Sequence, residues 1–184
     1  PVKAEEDYAP GAKSAILIDS ATGKVLFEKN ADEALAPASM TKIASMLIIM
    51  EAIDNGNLSL DDEVTISEEA ADMGGSQVFL EAGEVYSVHD LLKGVAIASG
   101  NDAVVALAEK VAGSQGEFVA MMNERAKELG ATNTNFVNAH GLDAEGHYST
   151  ARDMAIIAKE LLTHEKILEY TSIYEEYLEK NDGT

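Results

Sequence analysis

Residues 43–53 are apolar on nearly every face, with Ser45 and Glu51 as the only polar side chains. A segment with no polar stripe predicts a buried helix rather than an amphipathic surface one. It is too short to cross a bilayer, which takes about 20 residues. The pattern therefore places a helix through the middle of a domain. Asn55-Gly56-Asn57 follows it, and Gly56 suits the position just beyond a C-cap. Upstream, residues 13–19 (KSAILID) and 24–29 (KVLFEK) read as two β-strands. Ser20-Ala21-Thr22-Gly23 joins them as a hairpin, with Gly23 suited to a positive φ.

Downstream, short elements alternate with caps. Residues 64–66 read as a strand, 68–73 as a small helix and 74–77 as a flexible turn. Ser87 with Asp90 resembles a capping box that opens a largely buried helix to residue 98. Ser99-Gly100-Asn101 interrupts, and Asp102 is expected to cap a helix to residue 112. Ser114 with Glu117 opens another helix, carrying Phe118, Met121, Met122, Ala126 and Leu129 at amphipathic spacing and closed by Gly130. Residues 131–149 form a long loop rich in Asn, Gly and His. Thr150 with Asp153 then opens a helix to about residue 163, followed by a short one at 164–170. Residues 173–180 alternate weakly, as in a strand. The fold class is α+β, but an isolated hairpin is marginal and these strands want more partners than the chain offers. Either the late strand completes the sheet or the chain ends before its fold does.

Composition narrows the choices. The 184 residues suffice for one domain with a sizeable core, and a formal charge of −20 opposes binding to nucleic acid or to an anionic membrane surface. With no cysteine there is no disulfide and no thiolate metal site. The first ten residues are polar and acidic, so an exported protein would already have lost its leader.

Two stretches carry candidate chemistry. Pro37-Ala38-Ser39-Met40-Thr41-Lys42 puts a serine and a lysine at i and i+3 on one helix face, at the mouth of the buried helix. A serine hydroxyl becomes a competent nucleophile when a neighbour takes its proton, and burial lowers a lysine's pKa enough for it to act as that neighbour. The same spacing also fits an N-cap serine beside a first-turn surface lysine. Ser99-Gly100-Asn101 places two polar side chains on a short connection between helices, where they need partners. It also fits an ordinary turn with Asn101 in a left-handed conformation. A metal site at His140, Asp143 and His147 is a third possibility, although such loops more often use these residues for turns and backbone hydrogen bonds.

Taken together and in order, Ser39-x-x-Lys42 and Ser99-x-Asn101 resemble the serine β-lactamase and penicillin-binding constellation. More closely, the chain resembles the low-molecular-weight penicillin-binding proteins that are serine-type D-alanyl-D-alanine carboxypeptidases. Residues 36–42 are similar to the family's nucleophile segment and 98–103 to its second motif. Gly74-Gly75-Ser76 resembles a loop bordering the site, and 136–142 and 147–151 resemble landmarks outside the chemistry. The resemblance implies a β-lactamase/DD-peptidase-like fold, a helical cluster packed on an antiparallel sheet. It implies Ser39 as nucleophile, Lys42 as general base, Ser99 as a proton relay that also positions Lys42, and Asn101 as a substrate-amide contact. The Ser39 N–H would belong to the oxyanion hole. It further implies peptidoglycan stem peptides as substrate, β-lactams as acylating inhibitors, no cofactor and no metal. Location would be exported, at the outer face of the bacterial cytoplasmic membrane or in the cell wall or periplasm.

One departure stands out: the third motif, Lys-Thr-Gly, is absent. Residues 1–184 are therefore expected to be the N-terminal portion of a DD-peptidase domain, impaired as they stand. The C-terminal part, and with it the family's membrane anchor, would be missing. A non-catalytic peptidoglycan-binding scaffold relative is the alternative. A serine β-lactamase is disfavoured, because no Glu-x-x-Leu-Asn segment is present.

Overall fold

The computed structural model describes residues 7–178. Its centre is α1 (Thr41–Asp54), entered through a 3-10 turn at Ala38–Met40. Ile49 and Met50 are fully buried, and each side chain of this kind contributes about 1.5–3 kcal/mol by leaving water. As expected, α1 ends at a C-cap, Asn55, with Gly56 beyond it at φ +72°.

The expected hairpin forms from β1 (Ala15–Ile18) and β2 (Val25–Lys29), paired antiparallel with a bulge at Leu17/Ile18, and Gly23 takes φ +73°. After α1 come β3 (Glu63–Thr65), α2 (Glu68–Ala71), β4 (Val85–Ser87) and α3 (Val88–Ala98). Strand β4 was not evident in the sequence: three residues are too few for a pattern, and its pairing with β3 defines it. Next are α4 (Asn101–Ala112), α5 (Gln115–Glu128), α6 (Ala151–Leu161) and α7 (Ile167–Thr171). Helices α4, α5 and α6 pack around α1, so the core is one helical cluster with α1 at its axis.

Ser87, Ser114 and Thr150 cap α3, α5 and α6 as their motifs predict, each side chain accepting from the backbone N–H three residues on. Asp102 departs from expectation. Gly100 is the N-cap of α4, and Asp102 lies inside the first turn with its carboxylate turned to another segment. The expected late strand does not form over residues 173–178, and 179–180 lie outside the described residues. Among the described residues the sheets are two separate two-stranded pairs, so the sheet is partial and the fold is a partial α+β one.

Candidate active site

The 3-10 turn presents Ser39 at the surface while the next helical turn carries Lys42 inward, 2% exposed. Lys42 is therefore not the surface residue that spacing alone allowed. Its Nζ lies 3.2 Å from Ser39 Oγ, 2.6 Å from Asn101 Oδ1 and 2.8 Å from the His140 carbonyl oxygen. The last two partners can only accept, so they take two N–H bonds. The third direction of the nitrogen faces Ser39. In a neutral amine that direction holds the lone pair, which can receive the serine proton.

Burial pushes the Lys42 ammonium down to about 8, and the Asp102 charge opposes part of that fall. No carboxylate pairs directly with Lys42 among the described residues. The lysine is thus desolvated and held by neutral dipoles, a setting that leaves a base available near neutral pH.

Asn101 is 3% exposed and held on both sides. Its Nδ2 donates to the Gly74 carbonyl at 2.6 Å, which turns Oδ1 toward Lys42. Gly75 must be glycine here: a Cβ would meet Asn101 Nδ2 at 2.7 Å. The left-handed residue in this turn is Ser99, at φ 55°, rather than Asn101. Among the described residues the Ser99 hydroxyl makes no hydrogen bond. Ser39, Lys42 and Asn101 come together, and Asn101 rather than the expected Ser99 positions Lys42, while Ser99 sits at the strained break beside them.

Residues 136–142 and 147–151 are expected to lie outside the chemistry, but the structure brings the first of these stretches onto Lys42. The His140 carbonyl is a direct partner of Lys42. Gly141, at φ +95°, lies so close to the nucleophile turn that a Cβ would fall 1.9 Å from the Ala38 carbonyl oxygen. Ala38 itself is at φ +48°, an unusual angle for alanine directly before Ser39. His147 Nδ1 accepts from the Val137 N–H, so its Nε2 carries the proton and donates to Thr41 Oγ1 at 2.8 Å. The Leu142 N–H donates to His140 Nδ1. Burial first, then the nearby Lys42 charge, pushes His140 down to about 4, and burial also lowers His147, so both rings are neutral. These nitrogens serve the backbone and Thr41. No group of three or more metal-ligating side chains occurs among the described residues.

Residues 2–184 match the Peptidase S11 model, described as D-alanyl-D-alanine carboxypeptidase. The chain belongs to this family. It is 59% identical to the D-alanyl-D-alanine carboxypeptidase DacF of Bacillus subtilis, over 97% of the chain and 46% of that protein. It is 51% identical to DacC of Escherichia coli, over 82% of the chain and 39% of that relative. Among solved structures, D-alanyl-D-alanine carboxypeptidase DacD from Francisella tularensis superposes with a TM-score of 0.85 at 40% identity, covering 88% of the chain and 39% of that structure. Penicillin-binding protein D2 from Listeria monocytogenes, in its ampicillin-bound form, superposes at 0.79 and 30% identity, covering 94% of the chain and 70% of that structure. The fold is that of the DD-peptidases. The chain spans less than half the length of these two curated carboxypeptidases.

A cleft of about 410 Å³ elsewhere, between the hairpin and α6, is lined by Ile16, Ile18, Val25 and Ile156 and holds no serine or threonine. The contacts of Lys42, not the volume of a cavity, single out this end of α1 as the candidate site.

Proposed function

We propose that this chain carries the nucleophile-bearing part of a serine D-alanyl-D-alanine carboxypeptidase acting on peptidoglycan stem peptides. The observation that carries this is the buried Lys42 amine, held by two acceptors with its third direction on Ser39. Ser39 Oγ attacks the carbonyl between two D-alanines as its proton passes to Lys42 Nζ. The tetrahedral oxyanion is met by the Ser39 N–H. As the C–N bond breaks, the proton moves from Lys42 through Ser99 to the leaving amine, and terminal D-alanine departs. Water then attacks the ester and the proton returns to Ser39. Asn101 orients Lys42 and offers its amide to the substrate. A penicillin follows the first half of this path and remains as an ester on Ser39. The ampicillin-bound Listeria relative supports that sensitivity.

Action on stem peptides places the protein on the outer side of the cytoplasmic membrane, in the cell wall or periplasm, and makes it part of cell-wall maintenance. Among the described residues no helix is long and apolar enough to cross a membrane. The second reading is a non-catalytic peptidoglycan-binding relative.

Intact mass after incubation with a penicillin, followed by peptide mapping, separates the two. It is run on this chain and on one continued past Thr184 with the matching part of the Bacillus relative. A stoichiometric adduct on Ser39, lost in Ser39→Ala, is expected at least in the continued chain. No adduct in either would leave the scaffold reading standing.

A further inference from the structure

Asp102 is a fully buried carboxylate one residue beyond Asn101, in the first turn of α4. It accepts the Val78 N–H at 3.1 Å, the Leu80 N–H at 3.1 Å and the Ala103 N–H at 2.9 Å. Residues 74–80 have no regular secondary structure of their own. Two consecutive residues of α4 tie them down instead. Asn101 takes the Ser76 carbonyl with its N–H and the Gly74 carbonyl with its side chain. Asp102 takes the two amides that follow. Gly100 completes the fit, since a Cβ there would lie 2.9 Å from Asp102 Oδ1. A carboxylate at a helix N-terminus is also favoured by the helix dipole.

Asp102 does not touch Lys42, although its charge reaches it. The other titratable groups around Lys42 are the rings of His140 and His147 on the 138–148 loop, both neutral. Asp102 is therefore the one charge facing the lysine among these groups. A carboxylate in direct contact would hold the proton on Lys42. One set behind Asn101 supplies a weaker, fixed field and leaves the nitrogen free to face Ser39.

We propose that Asp102 is a positioning residue for Lys42, its buried carboxylate locking Asn101 and the 74–80 segment in place while its charge acts on the lysine at a distance. Lys42's role as base rests on the proposed function; the test below does not, because it reads the lysine itself.

The chain is produced with ¹³Cε-labelled lysine, and the Lys42 signal, assigned by its loss in Lys42→Arg, is followed from pH 6 to 11. In folded Asp102→Asn the Lys42 midpoint is expected to fall by about 0.5 pH or more, because the charge opposing deprotonation is gone. Asp102→Glu, which restores the charge, should return the midpoint toward that of the unaltered chain. A core variant away from the site, Phe118→Leu, should leave it unchanged. An unmoved midpoint in folded Asp102→Asn would reduce Asp102 to a loop tie and overturn the proposal. The unaltered protein supplies a second readout that needs no variant to fold. The Val78 and Leu80 amide resonances should shift with pH at the Lys42 midpoint, since the carboxylate they bind also faces the lysine. Amides indifferent to that midpoint would overturn the coupling. A midpoint that moves in a protein that forms no penicillin adduct would sink the enzyme and keep the positioning role.

Discussion

The Ser39 end of α1 and the β1–β2 hairpin handle polarity in opposite ways. At the first, polar groups are buried: Lys42, Asn101 and Asp102 are 2%, 3% and 0% exposed, and their polar atoms are paired. At the second, apolar groups are exposed: Leu17 at 53%, Leu26 at 56% and Val25 at 38%. Burying an amine and a carboxylate costs free energy that a purely structural helix end would avoid. Scattered exposed leucines carry no such cost and no such information. Buried, satisfied polarity is thus the better marker of function here, and the two regions should answer substitution very differently.

The largest difference lies in Lys42 itself. Lys42→Ala, in a form that acylates, should slow penicillin acylation by about 10³-fold, the scale of a lost general base. Rapid mass sampling at matched folded fraction measures it. A rate within tenfold of the unaltered protein would mean that some other group takes the Ser39 proton.

Next comes the contact behind the nucleophile. Gly141→Ala combines a left-handed φ with a Cβ 1.9 Å from the Ala38 carbonyl, so backbone must move. A loss of about 3 kcal/mol or more in urea unfolding is expected. Gly130→Ala is the matched control: its φ is +88° but nothing lies within 4 Å, so only the conformational penalty of about 1 kcal/mol remains. Equal losses in the two would show that the loop gives way and does not brace the turn.

This contact also shows where sequence reading stops. The approach of Lys42 to Ser39 was legible because the motif is local and its spacing carries a geometric meaning, whereas the bond from Lys42 to Asn101 closes 59 positions and was not. The caps at Ser87, Ser114 and Thr150 were legible for the same reason. The His140 carbonyl was not, because any residue has one and only a separation of 98 positions closed in space makes this one a partner of Lys42. Gly141 left a trace, a glycine beside histidine in a polar loop, but nothing local says which carbonyl it must clear. Asp102 is not the cap that a helix-start aspartate normally is, because its partners lie 22 and 24 residues upstream. The weakly alternating 173–178 segment has a strand's pattern, but among the described residues no strand pairs with it.

A gentler probe of the site is pH. With Lys42 near 8, the neutral base is the minor form below that value and the major form above it. The acylation rate should therefore rise about tenfold per pH below 8 and level off above it. His140, held near 4, should add no further step between pH 6 and 8. A rate flat from pH 6 to 9 would mean that Lys42 is not the titrating base.

The smallest effect belongs to the hairpin. Leu17 faces Phe27 and Ile18 faces Val25, so Leu26 is the extra residue of the bulge. It has no cross-strand partner in that register and is more than half exposed. Leu26→Lys removes little buried area, so stability should stay within about 0.5 kcal/mol of the unaltered chain. The added charge also suits a molecule at −20. Urea unfolding at two protein concentrations checks this. A loss above about 1 kcal/mol that grows with concentration would show that the leucine is covered in solution by a second copy, and the hairpin would no longer count as the exposed half of the comparison.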